Sequence, residues 1–240
     1  MRLDKFLADM GAGSRSDLKS AIRKKRVTVN GEVVRDSSMA VTENDTVTLD
    51  GITIEYETMQ YFLMNKPAGV ITATEDKKQE TVLDLLPLPH RTDLFPVGRL
   101  DRDTEGLLLI TNDGDLNHRL LSPKHHVDKV YYARIDGEVT NDDVQKFAEG
   151  IMIDDDEGPA FKALPAVLRI LSAENGSSEI EVTLQEGKYH EVKRLFRAVG
   201  KRVTYLRRIA MGSLTLDPAL APGESRKLTA EEIETLQSFK

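Results

Sequence analysis

The chain contains no cysteine among its 240 residues. That excludes disulfides and any metal site built on thiolates, and it fits a protein kept in a reducing cytosol. Long apolar runs are also missing. The longest purely aliphatic stretch, Leu107 to Ile110, is far short of the ~20 residues a membrane helix needs. The N-terminus, MRLDKFLADM, spreads its charges and holds no apolar block, so it does not read as a secretory signal. No repeat, low-complexity tract or long Gly/Ser linker interrupts the chain. Positive charge is wholly absent from residues 36–60, which carry six acids and neither Lys nor Arg.

What is present is a globular chain with 40% hydrophobic and 30% charged residues, long enough for one large or two modest domains. Its net charge of −7 taken whole argues against a nucleic-acid partner. The distribution argues for one. Residues 1–35 carry nine Lys/Arg against four Asp/Glu, a balance of +5, and the deficit lies in the rest. A basic head on an acidic body suits phosphate binding.

Leu3, Phe6, Leu7 and Met10 fall at helical spacing, and Gly11 and Gly13 break that helix. Ser14 reads as the N-cap of a second helix through Lys24. The run 27–34 alternates around Asn30-Gly31, a strong hairpin signal. Val41 to Leu49 reads as a further strand. This first unit closes near residue 57, with a short connection around Thr58–Gln60. A second unit opens with a strand at 61–67. Further strands are expected at Gly106–Thr111, Val130–Ile135, Ala166–Leu171, Glu179–Leu184 and Val203–Arg207, and helices at Leu116–Leu121, Asn141–Glu149, His190–Val199 and Thr229–Ser238. Strands and helices do not alternate, so the expected class is α+β: a small helix-helix-sheet domain over 1–57, then a larger domain over 60–240 with a mixed or antiparallel sheet flanked by helices.

Two regions carry chemistry. In the first, Arg2, Lys5, Arg15, Lys19 and the run Arg23, Lys24, Lys25, Arg26 cluster on or beside the two helices. Arg15, Lys19 and Arg23 are four apart and share a helix face, a stripe that can track a phosphate backbone or simply be a solvated face. In the second, residues 95–114 read FPVGRLDRDTEGLLLITNDG. A loop dense in charge (Arg99, Asp101, Arg102, Asp103, Glu105) runs into a buried aliphatic strand. Such a loop can hold reactive groups rigidly, or be a surface loop laced with ion pairs.

The order M-R-L-D-K-F-L, S-R-S-x-x-K-x-x-I-R, V-x-V-N-G resembles the small "S-four" RNA-binding domain over about residues 1–50. G-R-L-D-x-D-T-x-G-L-L-L-x-T-N-D-G resembles the signature of the RsuA-like family of pseudouridine synthases, the small-subunit rRNA type. NKPAG (Asn65 to Gly69), KVY (Lys129 to Tyr131), EGKYHEVKRLF (Glu186 to Phe196) and V-x-x-L-x-R-x-x-x-G (Val203 to Gly212) follow in the family's order, so the resemblance reaches about residue 230.

The resemblance implies that Asp101 is the catalytic aspartate, attacking the ribose anomeric carbon or assisting a glycal route. It implies that Lys193, with Arg194 as fallback, is its basic partner; that Tyr131 stacks on the target base; and that Arg99 helps evict that base. A carboxylate suits the role because it can trap an oxocarbenium-like centre, and the glycosidic bond of stacked RNA is otherwise out of reach. No cofactor or metal is implied. The expected partner is ribosomal RNA, 16S or a small-subunit assembly intermediate, with 23S rRNA the alternative. The expected protein is a cytoplasmic monomer with no membrane association. Rival readings are a non-catalytic RNA-binding assembly factor, and a nucleoside or glycoside hydrolase using Asp101 as nucleophile.

Other features rank lower. His125-His126, read on a strand, would point to opposite sides and make a poor metal site. Asp101 and Asp103 form a glycosidase-like pair only in spacing. Lys66-Pro67 reads as a structural strand exit. Asp154-Asp155-Asp156-Glu157 lacks the spacing of a calcium loop and reads as a solvated loop. Tyr132 suits a core position better than Tyr131 does.

Overall fold

The computed structural model describes residues 1–87, 91–155 and 158–238. Helix α1 (Leu3–Asp9) buries Leu3, Phe6 and Leu7. Helix α2 (Arg15–Arg23) is capped by Ser14, whose Oγ accepts from the Asp17 amide at 3.2 Å, and it buries Leu18, Ala21 and Ile22. Strands β1 (Val27–Val29) and β2 (Glu32–Val33) are joined through Asn30 and Gly31 at φ 52° and 84°, the two positive values a tight hairpin needs. Strands β3 (Val47–Leu49) and β4 (Ile52–Ile54) repeat the device through Asp50 and Gly51, and the sheet runs β2-β1-β3-β4. The expected strand Val41–Leu49 is therefore shorter. Asp45 accepts from the Thr42 amide and hydroxyl and from Asn30, turning 42–45 into a capped loop, and only 47–49 joins the ladder.

Strand β5 (Tyr61–Lys66) opens the second unit and is buried throughout. Short β6 (Phe95–Pro96) and long β7 (Glu105–Thr111) follow, then α3 (Gly114–Leu121), β8 (Lys129–Asp136), α4 (Asn141–Glu149), the hairpin β9 (Met152–Asp155) and β10 (Gly158–Lys162), β11 (Val167–Glu174), β12 (Ser177–Leu184), α5 (Glu191–Ala198), β13 (Arg202–Met211), β14 (Leu214–Thr215), β15 (Ser225–Lys227) and α6 (Ala230–Gln237). The main sheet runs β11-β12-β8-β13-β7-β5-β15, with β14 on β13 and β6 on β7. Among the described strands of this sheet only β13 and β7 pair in parallel, so the sheet is mixed, the first of the two expected forms.

Side chains on a strand alternate between faces. On β5 and β7, Phe62, Met64, Leu108 and Ile110 pack with Phe147 of α4 and Leu195 and Phe196 of α5, while Leu63, Leu107 and Leu109 pack with Leu116 and Leu120 of α3 and Leu236 of α6. Both faces of the central strands are covered, which is why the LLLI run is apolar without alternation. The first unit has its own core of α1, α2 and its sheet.

Several placements differ from the sequence reading. Strand β8 sends Tyr131, Ala133 and Ile135 inward, so Tyr131 is the buried tyrosine, 8% exposed, and Tyr132 lies on the outer face, edge-on to Tyr205 at 6.1 Å. His125 ends a 3₁₀ turn and His126 is left-handed (φ 46°), so neither is on a strand; Ser122 caps that turn. Asp154 and Asp155 fall in strand β9 rather than a loop, and Asp156 and Glu157 lie outside the described residues. The hairpin β9–β10 and the short β6, β14 and β15 have no counterpart among the expected elements.

Candidate active site

The site forms where the parallel pairing interrupts an otherwise antiparallel sheet. Because β5 runs against β7, the end of β5 lies beside the start of β7; β13 brings Arg207 and Arg208 alongside Glu105 and Gly106; and β8 sets Tyr131 opposite Arg208. Gly106 adopts φ 101°, and a Cβ there would sit 2.2 Å from the Arg208 carbonyl oxygen. Only glycine lets the two backbones come this close.

The charged loop before β7 is pinned on three sides. Thr72 Oγ1 donates to the Leu100 carbonyl at 2.8 Å and accepts from the Leu100 amide at 3.2 Å. The Gly69 amide donates to Arg102 O at 2.8 Å, and the Thr104 amide to Asp101 O at 3.1 Å. Beneath it, fully buried Lys66 donates from Nζ to the carbonyls of Pro67 (2.9 Å), Thr104 (2.9 Å) and, at 3.4 Å, Arg102. Burial brings the Lys66 ammonium down to about 8, with Asp103, Asp101 and Glu105 opposing. The expected strand-exit role of Lys66-Pro67 thus understates Lys66, which satisfies carbonyls that would otherwise be orphaned under the loop.

Helix α5 brings the partner groups. Lys193 Nζ lies 3.0 Å from Asp101 Oδ2 and 2.6 Å from Asp103 Oδ1, and His190 Nε2 lies 3.4 Å from Asp101 Oδ1. Both carboxylate oxygens of Asp101 therefore face nitrogen. Burial works against charge on Lys193, but its bonds to Asp103 and Asp101 outweigh this and hold its ammonium above the ordinary lysine value. Asp103 is likewise destabilised by burial, yet Lys193 takes it below the ordinary carboxylate value. Asp103 is thus an ionised partner of the same lysine, and it lacks the proton that a glycosidase general acid must carry. Arg194 faces elsewhere. It is buried, donates to the Tyr189 carbonyl at 3.2 Å and lies over the Phe161 ring at 5.1 Å.

Tyr131 and Arg99 join Asp101, His190 and Glu191 around a small pocket, which opens into a cleft of about 860 Å³ also lined by Arg99, Arg102, Leu121, Lys129 and residues 185–190. Burial raises the Tyr131 phenol, and the charge of adjacent Arg208 opposes that. Arg208 is 2% exposed and donates from Nε to the Leu107 carbonyl at 2.8 Å, tying β13 to β7 directly behind Tyr131.

The sequence reading did not single out His190, Arg208 or Glu191, although all three lie in the quoted motifs. His190 stands three residues before Lys193, a spacing that puts both at one end of a helix facing one partner. Glu191 is buried, and its Oε2 accepts from the Lys188 amide at 3.0 Å. Burial is the main cause that pushes its carboxyl up to about 7, with Glu186 adding and Lys188 opposing. The folded chain then keeps a proton that the unfolded chain releases between the ordinary value of 4.5 and about 7, so stability falls as pH rises through that window. Glu191→Gln is expected to remove this loss, leaving the variant up to about 3 kcal/mol more stable than the parent at pH 8 and equal to it near pH 4.5. Urea unfolding at both pH values checks this; a variant less stable at pH 8 would contradict it.

The basic N-terminal residues divide into two sets. Arg2 is bound to Asp4 (2.9 Å), Lys19 lies 3.9 Å from the same carboxylate, and Arg26 is bound to Asp50. Lys5, Arg15, Arg23, Lys24 and Lys25 are exposed and make no ion pair among the described residues. They are the cations left for an external anion.

Residues 60–198 match the model of the RNA pseudouridylate synthase family, and residues 1–47 match that of the S4 domain. The chain is 46% identical over 238 residues to an uncharacterized RNA pseudouridine synthase of Bacillus subtilis (strain 168), covering 98% of both. It is 40% identical over 237 residues to the ribosomal small subunit pseudouridine synthase A of Escherichia coli (strain K12), covering 98% of this chain and 100% of that one. Among solved structures, one described as the crystal structure of pseudouridylate synthase aligns with a TM-score of 0.68 and 37% identity, covering 98% of this chain and 99% of that one.

Proposed function

This chain belongs to the RNA pseudouridylate synthase family, an isomerase family, and we propose that it converts one specific uridine of 16S ribosomal RNA to pseudouridine, with Asp101 as its catalytic residue. The observation that carries this reading is Asp101 itself, held between Lys193 and His190 at the base of an open cleft on the signature loop. End-to-end identity with the small-subunit enzyme favours 16S over 23S rRNA.

The reaction breaks the C1′–N1 bond of uridine and forms C1′–C5. The C5 proton is lost and N1 gains one, so no atom enters or leaves overall. Asp101 attacks C1′, or takes the 2′ proton on the glycal route, and the ammonium of Lys193 at 3.0 Å holds its carboxylate in place. Tyr131 presents its ring to the uracil in the pocket, where an aromatic face holds a rotating base in any orientation. Arg99, which has no hydrogen bond or ion pair among the described residues, fills the gap the flipped base leaves. Units 1–57 and 60–240 divide the work: the first docks on structured RNA, the second does the chemistry. We take the working unit to be a monomer. No helix among the described residues is long and apolar enough to cross a membrane, and we place the protein in the cytoplasm with its substrate.

The test is primer extension after carbodiimide treatment of unmodified 16S and 23S rRNA, free and as assembly intermediates, incubated with wild type or Asp101→Asn. A new stop in 16S rRNA that needs Asp101 is expected. A stop in 23S rRNA alone reassigns the substrate, and none in either, with RNA bound, points to an assembly factor. Docking has its own signature: Arg15→Ala with Arg23→Ala should weaken RNA binding and lower the slope of log affinity against log salt by roughly 1.5, as filter binding across salt concentrations would show. An unchanged slope would remove α2 from the interface.

A further inference from the structure

We infer that Tyr189 is a stacking platform for the nucleobase next to the target uridine, a subsite separate from the pocket that takes the uracil. The inference rests on the proposed action on RNA. Among the described residues Tyr189 is the one Tyr or Phe that stands largely exposed, at 62%, and it lines the cleft above Asp101. Single exposed apolar residues need no explanation; what sets this one apart is how it is held. One face of its ring lies on His190, with centroids 3.7 Å apart and planes 23° apart, and His190 touches Asp101. The other face is open to the cleft.

The backbone beneath the ring is locked. Arg194 holds the Tyr189 carbonyl, Glu191 holds the Lys188 amide, and the Leu164 amide donates to Glu186 at 2.7 Å. Lys188 bridges to Glu186 at 2.8 Å and sits over the Phe161 ring at 3.7 Å. His190 takes a left-handed φ of 50°, an unfavourable conformation for a residue with a side chain, which turns the chain so that both rings stack before α5 begins. The β9–β10 hairpin, through Phe161, thus buttresses the loop that carries the platform.

When a uridine leaves its stack, its neighbour loses a stacking partner, and an aromatic face beside the catalytic carboxylate restores one for any base. A base on the open face of Tyr189 would extend the His190–Tyr189 stack by one layer, which suits the adjacent nucleotide rather than the one whose C1′ meets Asp101. The Tyr189 hydroxyl has no hydrogen-bond partner among the described residues, so the ring is the working part.

The experiment is single-turnover pseudouridine formation on 16S and 23S rRNA transcripts, titrated with wild type, Tyr189→Phe and Tyr189→Leu. Tyr189→Phe should match wild type. Tyr189→Leu, of similar bulk but no π-face, should need roughly 5- to 100-fold more protein for half-maximal rate, with the saturating rate within about 2-fold of wild type. Half-saturation unchanged in Tyr189→Leu overturns the platform. So does a saturating rate that falls while half-saturation holds, since the residue would then act through His190 on Asp101. If wild type makes no pseudouridine in either rRNA, free or as an assembly intermediate, the reading on rRNA fails by itself. Equilibrium binding of the same transcripts then decides the platform: Tyr189→Leu weaker than Tyr189→Phe upholds it, and equal binding overturns it.

Discussion

Asp101→Asn should abolish isomerisation, lowering the rate on the order of 10⁴-fold or more, while leaving RNA affinity and thermal stability close to those of wild type. The substitution is nearly isosteric: its one oxygen can still accept from Lys193, and its NH2 group then faces the ring nitrogen of His190. What it removes is negative charge and basicity. An amide neither attacks C1′ nor takes a 2′ proton, so both routes through the aspartate fail together. Pseudouridine mapping gives the activity, filter binding the affinity, and calorimetry the stability. Residual activity above a few per cent would show that another group does the chemistry. The contacts of Asp101 with Lys193 and His190 would then have to be read as structural.

The second large effect is expected at Lys193. This ammonium is shared by Asp101 and Asp103 at 3.0 Å and 2.6 Å. Lys193→Met would remove the cation that the largely buried Asp101 shares with the exposed Asp103, whose side chains are 24% and 75% accessible. Activity at neutral pH should fall roughly 10²-fold, equivalent to about 2.7 kcal/mol of barrier. Lys193→Arg, which keeps the charge but changes its reach, should lose less, and that difference separates loss of charge from a packing defect. Equal losses in the two variants would mean that the lysine acts otherwise than through its charge beside Asp101. Arg194 is the internal control: its guanidinium is spent on the Tyr189 carbonyl and the Phe161 ring.

Helix α1 and its buried residues followed from apolar spacing, and the β1–β2 turn from Asn30-Gly31, because both signals are local. The same holds for the central apolar strand β7 and for helix α5. The misses share a cause. Residues 42–45 looked extended until the Asp45 carboxylate was seen capping their turn. The inward tyrosine of β8 depends on which face of the strand is covered, and that is decided by helices far away in sequence. Strands β6, β14 and β15, of two or three residues, exist only because a longer partner offers a ladder.

The site divides in the same way. By itself the sequence determined the chemistry available: a charged loop before a buried strand, a basic head, and motifs in an order that identified the family. It ranked Lys193 ahead of Arg194, adjacent residues that point about 100° apart on a helix, only through the resemblance, and it gave neither His190 nor the contacts of Lys66 under the loop. Which of these side chains touch Asp101 and its loop is visible only in the tertiary structure. Periodicity reports which residues share a face. It does not report which face meets which partner; that depends on the β13–β7 parallel pairing and the close approach at Gly106, contacts between segments about 100 residues apart whose geometry no local pattern encodes.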